Sequence, residues 1–275
     1  MNEALFKLEN VSYSYLNRFP GLNNINLEIK QGESITILGS NGSGKSTLIQ
    51  ILAGLQFAQK GTVQALGRML TPDIFDDDSF RKLFRSKVGI VFQNSEVQLF
   101  SPTVEEELYF GPLQLEKPVD KIKESVMYFS SLLGIEKLLS RSPNHLSVGE
   151  KKKVALASVL AIEPEVLLLD EPTAGLDPRT TSELIDLILH YHSLGKTIIT
   201  ATHDLPVVSE IATRIYILSE EKTICVSGNA QDILPNQDLL IKYNLAHIHT
   251  HKHGNAWHKH MHNIGQHEHR DEKNI

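Results

Sequence analysis

The chain has 275 residues, and its 33 acidic against 27 basic side chains give a formal net charge of −6 at neutral pH. A hydrophobic content of 41% is typical of a globular protein with a sizeable core, while the lack of a basic excess argues against a nucleic-acid-binding protein. With a single cysteine, no signal-peptide pattern at the start and no apolar run near the ~20 residues of a membrane span, we expect a cytoplasmic protein in a reducing compartment.

The first third of the chain predicts two kinds of β structure. "LFKLENVSYSY" (5–15) and "INLEIKQGE" (25–33) are typical of two antiparallel strands, and "GTVQALG" (61–67) is expected to join them. "SITILG" (34–39) predicts a buried strand, followed by a helix at 45–55. Further buried strands are predicted at 87–92, 165–170, 196–202 and 214–219. Apolar strands separated by helices indicate a mainly parallel sheet that is covered on both faces.

The strand pattern disappears between residues 100 and 161. Helices are predicted at 103–110, 120–134 and 147–161, which indicates a helical subdomain of about residues 94–164. It would be inserted in one α/β domain spanning residues 1–240. The apolar periodicity ends after Leu245, so we expect the tail, residues 246–275, to be disordered.

The motif "GSNGSGKST" (39–47) lies between a predicted strand and a predicted helix, which is the context of a phosphate-binding loop. Its glycines let backbone N–H groups turn toward phosphate oxygens at a helix N-terminus. Lys45 would reach the β- and γ-phosphates, and the Ser46 hydroxyl would ligate Mg²⁺. The alternative is a glycine-rich turn before an ordinary helix. The residues predicted to hold the nucleotide here are Gly39, Ser40, Asn41, Gly42, Ser43, Gly44, Lys45, Ser46 and Thr47.

Two adjacent carboxylates end the predicted strand "EVLLLD" (165–170). Asp170 is a candidate Mg²⁺ ligand, and Glu171 a candidate catalytic residue that polarises the attacking water. The alternative is the solvated start of a loop, which the presence of a phosphate loop makes the weaker interpretation.

"NHLSVGEKKKVALA" (144–157) has two interpretations. Ser147 followed by Glu150 is a capping box for an ordinary helix. However, "LSVGE" also resembles the "LSGGQ" signature of the ATP-binding-cassette (ABC) ATPases, and it lies between the phosphate loop and "LLLDEPTAGLD". Val148 and Glu150 depart from that signature, whereas Gly149 is retained. Both departures could slow hydrolysis, which we nevertheless expect.

Other landmarks of the ABC ATPases occur in the same order over residues 4–235. Gln93 matches the Q-loop glutamine, which reaches Mg²⁺ or the attacking water, and Asp177 matches the D-loop. His203 matches the switch histidine at the γ-phosphate, and Tyr15 matches the aromatic residue that stacks on adenine, for which Tyr13 is the alternative. The resemblance implies a RecA-like P-loop ATPase lobe with an antiparallel β subdomain, an inserted α-helical subdomain, and ATP and Mg²⁺ as cofactors.

The resemblance also implies a dimer. In this family two subunits enclose two ATP molecules, and the signature helix of one subunit faces the phosphate held by the other. Ser147 and Gly149 would therefore serve the partner's nucleotide, and Asp177 of the D-loop is predicted to be a further nucleotide-binding residue. The second subunit would be another copy of this chain or a related ATPase.

"VFQNSEVQLFSPTVEEELYFGP" (91–112) resembles the corresponding stretch of energy-coupling-factor importers, which take up vitamins and transition-metal ions. The resemblance implies a transmembrane scaffold subunit, a substrate-binding membrane subunit and a peripheral location on the cytoplasmic face of the cell membrane. The acidic run at 105–107 has a simpler explanation, since acidic side chains favour the first turn of a helix.

Histidines are concentrated in the tail, which holds nine of the thirteen: His247, His249, His251, His253, His258, His260, His262, His267 and His269. Imidazole suits Ni²⁺ and Co²⁺, and alternation places side chains on one face of an extended chain. We therefore expect the ATPase of a Co²⁺ or Ni²⁺ importer. The alternatives are a vitamin importer of the same family, a nucleotide-switched metal-storage protein, and a tail that is only a solvated end or an engineered tag.

Overall fold

The computed structural model describes residues 4–246 and, as backbone, residues 248–253 and 256–261. The strands, in chain order, are β1 (Ala4–Tyr15), β2 (Phe19–Lys30), β3 (Ser34–Leu38), β4 (Lys60–Ala65), β5 (Arg68–Met69), β6 (Val88–Val91), β7 (Val166–Asp170), β8 (Thr197–Thr202), β9 (Arg214–Leu218), β10 (Ile224–Asn229), β11 (Ile248–His253) and β12 (Ala256–Met261).

The α-helices are α1 (Lys45–Leu52), α2 (Asp78–Lys87), α3 (Val104–Gln114), α4 (Val119–Leu132), α5 (Val148–Leu160), α6 (Pro178–Ser193), α7 (Leu205–Ile211), α8 (Ala230–Ile233) and α9 (Gln237–Lys242). Short 3₁₀ helices occur at Asp73–Asp76, Ser95–Val97, Glu136–Leu138 and Pro143–His145. None of the helices in these described ranges is long and apolar enough to cross a membrane.

The main sheet has six strands in the order β10-β9-β3-β8-β7-β6, and all neighbouring pairs are parallel except β10 with β9. Strands β3, β7 and β8 are buried along their whole length, as expected for strands covered on both faces. A second, antiparallel sheet has the order β2-β1-β4-β5. The predicted α/β fold with an antiparallel β part is confirmed.

Helices α3, α4 and α5 lie between β6 and β7 in the chain and form the helical part. Their apolar side chains, among them Leu108, Val126 and Val154, share one buried cluster with Leu167 and Leu169 of β7. The helical part is thus attached to the main sheet by a continuous apolar contact, and the loops that lead into it leave from the carboxyl edge of that sheet.

Helix α2 was not predicted from the sequence. Asp77 caps its N-terminus, with its carboxylate accepting hydrogen bonds from the N–H groups of Ser79 and Phe80. Phe80 and Phe84, four residues apart, bury one face of the helix. The remaining positions are mostly charged, so a pattern of only two apolar anchors was too sparse to stand out.

The described part of the tail, for which we expected disorder, contains two strands. Strands β11 and β12 pair antiparallel, with His249 opposite His260 and His251 opposite His258. The alternation of histidine with other residues has the period of a strand, which is compatible with this pairing. Residues 247, 254–255 and 262–275 lie outside the described residues, so the predictions for His247, His262, His267 and His269 are not addressed.

Candidate functional site

The phosphate-binding loop connects β3 to α1 at the carboxyl edge of the main sheet. Gly44, the residue before the helix, has φ 108°, and a Cβ there would overlap the carbonyl oxygen of Gly21. A Cβ on Gly39 would lie 2.5 Å from the Ser43 hydroxyl and 2.6 Å from the Leu218 carbonyl oxygen. Glycine is therefore required at both positions, and the first N–H groups of α1, which have no partner within the helix, begin directly after this tight turn.

Lys45 is the first residue of α1 and is buried, with 5% of its surface exposed. Its ammonium donates hydrogen bonds to the carbonyl oxygens of Gly39 at 2.9 Å and Ser40 at 3.2 Å. It also lies 3.1 Å from the Glu171 carboxylate, with which it forms an ion pair. A nucleotide phosphate that recruits this ammonium must therefore compete with contacts inside the protein.

Glu171 follows β7 in a left-handed backbone conformation, with φ 45°, which is unfavourable for a residue with a Cβ. Its carboxylate accepts a hydrogen bond from the Thr202 hydroxyl at 3.0 Å and contacts Nδ1 of His203 at 2.9 Å. Burial disfavours the charged form, but the His203 hydrogen bond and the Lys45 charge outweigh it, and the pKa of Glu171 is lowered. The side chain is thus held as a carboxylate.

Asp170 ends β7 and is buried. Burial raises the pKa of Asp170, although the neighbouring Ser46 hydroxyl acts in the opposite direction. Its Oδ1 has no hydrogen-bond partner among the residues that the structure describes. A buried carboxylate oxygen without a partner, next to a serine hydroxyl, is the donor set that a hard cation such as Mg²⁺ takes. The residues present therefore fit this ion.

A cleft of about 300 Å³ lies at the phosphate-binding loop and reaches Glu171. It is lined by Tyr15, Pro20, Gly21, Asn41, Gly42, Gly44, Lys45, Ser46, Thr47, Gln93, Glu171 and Lys222. The structure thus brings Tyr15 and Gln93, predicted from distant parts of the sequence, to the phosphate loop. His203 lies at the other side of Glu171, in a second depression that Glu171 shares.

Of the two tyrosines considered for stacking on adenine, Tyr15 is the one that lines the cleft. Tyr15 is 39% exposed on the cleft, and its hydroxyl lies 2.9 Å from the Thr47 hydroxyl. Tyr13 stands edge-on to it at 5.0 Å and donates its own hydrogen bond to Gln56. Tyr13 therefore supports Tyr15 from the side and is not one of the residues lining the cleft.

The signature segment lies elsewhere. Ser147 caps α5 through a complete capping box, in which Glu150 accepts hydrogen bonds from the Ser147 N–H and hydroxyl, both at 2.8 Å. Asp177 caps α6 and accepts from the N–H groups of Arg179 and Thr180, both at 3.0 Å. Among the described residues, those lining the phosphate cleft include none from α5 or α6. Ser147, Gly149 and Asp177 are thus not brought to the nucleotide loop of their own chain.

Two residues at the site were missed by the sequence analysis. Thr202 directly precedes His203, and its hydroxyl donates a hydrogen bond to the Glu171 carboxylate. Its position at the carboxyl end of a predicted strand could have indicated that it belongs to the site. Lys222, in the turn between β9 and β10, lines the cleft and donates a hydrogen bond to the Gly42 carbonyl oxygen. No local pattern in the sequence marks a turn lysine as part of a site more than 170 residues earlier in the chain.

Within the part of the chain whose side chains are described, no group of three or more His, Cys, Asp or Glu could hold a metal ion. The side chains of the nine tail histidines lie outside the described residues.

Comparison with known proteins agrees with this geometry. A family model described as "ABC transporter" matches residues 22–174. An ABC transporter ATP-binding protein of Methanosarcina acetivorans is 48% identical over 254 residues, which cover 91% of this chain and 92% of that protein. The nickel import ATP-binding protein NikO of Rhodobacter capsulatus is 44% identical over 238 residues, covering 86% of this chain and 93% of that protein.

Among solved structures, cbiO1 of Clostridium perfringens, part of the ABC transporter complex cbiONQ, matches with a TM-score of 0.74. It is 36% identical and covers 88% of this chain and 95% of that chain. The resemblance inferred from the motifs is confirmed. This chain belongs to the ABC transporter family, as an ATP-binding subunit whose ATP hydrolysis is coupled to transport.

Proposed function

We propose that this chain is the ATPase subunit of an energy-coupling-factor-type importer of Co²⁺ or Ni²⁺. The observation that carries the proposal is the presence of nine histidines between residues 247 and 269 on the same chain as the ATP-binding cassette. The match to a nickel import protein and to a component of cbiONQ supports it. The protein would act on the cytoplasmic face of the cell membrane.

Different residues of the cleft would contact the adenine, the phosphates and Mg²⁺. Tyr15 offers an exposed ring face to adenine, and the loop N–H groups with Lys45 bind the phosphates. Ser46 and Asp170 would hold Mg²⁺, with Gln93 reaching it or the attacking water from the cleft rim. Mg²⁺ would neutralise charge on the β- and γ-phosphates.

Proton transfer falls to Glu171 and His203. Glu171 is a carboxylate at neutral pH and lines the cleft, so its oxygen can accept a proton from the attacking water. His203 contacts the same carboxylate through Nδ1 and so holds its orientation. Its other ring nitrogen would be free to face the γ-phosphate.

A second ATPase subunit would complete the site. The N-terminus of α5 is exposed, with Val148 63% accessible, so a phosphate held by another subunit could approach Ser147 and Gly149. Helix N-termini favour anions. Asp177, which caps α6 beside this surface, would lie at the same interface.

Two aromatic residues near the Q-loop support a contact with a transmembrane subunit. Phe100 and Phe110 stack edge-on with 4.7 Å between ring centroids, and both are exposed. Val97 beside them is 72% exposed. A cluster of exposed apolar side chains of this kind is typical of an interaction surface, and it lies on the stretch that resembles energy-coupling-factor ATPases.

The tail would bind the transported ion or sense it. The register of β11 with β12 supports this, because residues directly opposite in an antiparallel pair have Cα atoms only about 4.5–5.5 Å apart. Two histidine pairs, His249 with His260 and His251 with His258, occupy such positions. Imidazole ligands bind Ni²⁺ more tightly than Co²⁺, so the tail would prefer nickel.

The test is an elemental measurement on cells grown in limiting metal. Cells would carry the wild-type chain, Lys45→Ala, or a truncation after Ala246. Lys45→Ala is expected to lower cellular nickel or cobalt and leave other metals unchanged. Truncation is expected to lower the same metal less, because the cassette remains.

The remaining outcomes separate the alternatives. If no metal changes in either the Lys45→Ala cells or the truncated cells, metal import is excluded and vitamin uptake becomes the leading function. If the metal falls on truncation alone and Lys45→Ala has no effect, the chain stores metal independently of hydrolysis. Lys153→Ala serves as a matched control for loss of a lysine outside the cleft.

A further inference from the structure

The segment Phe92–Ser101, which we call the Q-loop segment, leaves the main sheet after β6 and carries Gln93 to the cleft. Helix α5 holds its beginning. The ammonium of Lys152, in the second turn of α5, donates hydrogen bonds to the carbonyl oxygens of Phe92 at 3.1 Å and Gln93 at 2.8 Å. No other side chain among the described residues donates a hydrogen bond to these two carbonyls.

Lys152 differs from its neighbours in the run "KKK" at 151–153. Lys151 and Lys153 form ion pairs with Glu96 at 2.5 Å and Glu183 at 2.6 Å. Lys152 is only 3% exposed, and no carboxylate lies within ion-pair distance of it in the described part of the chain. The two Q-loop carbonyls are therefore the hydrogen-bond partners of a buried ammonium, whose burial is otherwise costly.

The Lys152 ammonium interacts electrostatically with the carboxylates of the site. Burial lowers the pKa of Lys152, while the charges of Asp170 and Glu171 act in the opposite direction. Lys152 thus lies within electrostatic reach of the carboxylates proposed to bind Mg²⁺ and to accept the proton.

We propose that Lys152 is a positioning residue for ATP hydrolysis, which fixes the Gln93 backbone to α5 and so sets where the Gln93 side chain lies in the cleft. This inference rests on the role proposed above for Gln93. Gln93 is exposed, so its position depends on the backbone that carries it. Lys152 lies three residues after Gly149, so a displacement of the α5 N-terminus would reach Gln93 through two hydrogen bonds.

The Q-loop segment has further attachments to the helical part that agree with this role. Gln98 donates to the Ala155 carbonyl oxygen at 2.9 Å and accepts from the Phe92 N–H at 3.2 Å. Glu107 of α3, 4% exposed, accepts from the N–H groups of Phe100 and Ser101 at 3.0 and 2.8 Å. Both ends of the segment are thus bound to the helical part, and Lys152 holds the end nearest the nucleotide.

The test is a double-mutant cycle on the full chain, with steady-state ATP hydrolysis as the readout. Lys152→Met is expected to lower kcat by up to about 10²-fold, as misplacement of a positioned group does, with KM for ATP within about twofold of wild type. In the Gln93→Ala background, Lys152→Met is expected to have no further effect on kcat. Lys152→Arg, which can donate to both carbonyls, should recover part of kcat, and the control Lys153→Met should resemble wild type.

Other results would overturn the proposal. If Lys152→Met lowers kcat by the same factor with and without Gln93, Lys152 does not act through Gln93 and has a structural or purely electrostatic role. An unchanged kcat in Lys152→Met has the same consequence. If Gln93→Ala alone leaves kcat unchanged, the role proposed for Gln93 fails, which is a separate and recognisable outcome. Should the methionine variant not fold, Lys152→Gln, which keeps one donor, takes its place in the cycle.

Discussion

The N-termini of two helices, α1 and α5, are proposed to bind ATP. They differ in how the helix end is capped and in how exposed it is. At α1 no side chain caps the helix, and the loop before it is closed by contacts from several strands and by the Lys45–Glu171 ion pair. At α5 the helix is capped by its own residues, Ser147 and Glu150, and its outer surface is exposed. The α1 site is assembled within one chain, whereas the α5 site is one half of a site.

The glycines at the two helix N-termini, Gly44 and Gly149, differ in the space available for a Cβ. A Cβ at Gly44 would overlap backbone, and φ is 108°. A Cβ at Gly149 would have Thr180 as its nearest neighbour at 3.8 Å, an ordinary contact. The chain itself therefore requires glycine at α1 but not at α5. The proposed partner phosphate is a group from outside the chain that a Cβ at position 149 would keep away from the backbone.

The largest effect is expected from the α1 side, in Glu171→Gln. The amide cannot accept the proton, so kcat should fall by at least about 10²-fold, as for loss of a general base. ATP binding should persist, since Lys45 and the loop are intact. Hydrolysis and equilibrium ATP binding are measured in parallel, with the exposed Asp186→Asn as the control. A kcat within tenfold of wild type would exclude Glu171 as the base.

Gly44→Ala tests whether the α1 loop is closed by the chain itself. The strained φ alone costs about 1–3 kcal/mol, and the overlap with Gly21 adds to this, so both the free energy of unfolding and ATP affinity should fall. Denaturant unfolding and ATP titration measure the two quantities. Gly67→Ala, at φ 75° with no atom within 4 Å of the added Cβ, is the control for φ without overlap. Equal losses in the two variants would show that the overlap has no effect.

Gly149→Ala tests the α5 side and should behave in the opposite way. Its free energy of unfolding should stay within about 0.5 kcal/mol of wild type, as for an ordinary surface change, while kcat falls about tenfold because the added methyl group keeps phosphate from the backbone. Mixing Gly149→Ala with Lys45→Ala should raise activity above either variant alone. In a mixed dimer one site has both wild-type groups. No gain on mixing would contradict a site shared between chains.

Much of this arrangement could be predicted from the sequence, because its elements have local causes. Strands β3, β7 and β8 are short, fully buried runs of mainly aliphatic and β-branched residues, and a residue of the site ends or directly follows each one. Parallel strands place their carboxyl ends at one edge, so the phosphate loop, Glu171 and His203 had to converge.

What could not be predicted depends on contacts between distant segments. The acidic run at 105–107 was explained by the helix dipole, yet Glu107 is buried and binds the backbone of the Q-loop segment. Three identical lysines at 151–153 have one buried member, Lys152, whose helical phase alone does not reveal its partners. Lys222 reaches the phosphate loop from a turn. In each case the residue type was visible and its partner was not.

The smallest expected effect is on the pH dependence of the free energy of unfolding. It concerns Glu171, which pairs with Lys45 of α1, and Glu150, which caps α5. The ordinary pKa of a glutamate is 4.5, and it is lowered at Glu171, mainly by His203 and Lys45 against burial, and at Glu150 by hydrogen bonds from Ser147. In both cases the unfolded chain binds the proton more tightly. The stability that each contributes is therefore present above pH 4.5 and is lost as the pH falls through the folded-state pKa.

Glu171 is buried and Glu150 is near the surface, where solvent screens the interaction. Between pH 6 and pH 3.5, Glu171→Gln should therefore reduce the acid dependence of unfolding more than Glu150→Gln, which retains a capping-box side chain. Denaturant titrations across this range measure the difference, and equal reductions would mean that burial does not distinguish the two helix ends.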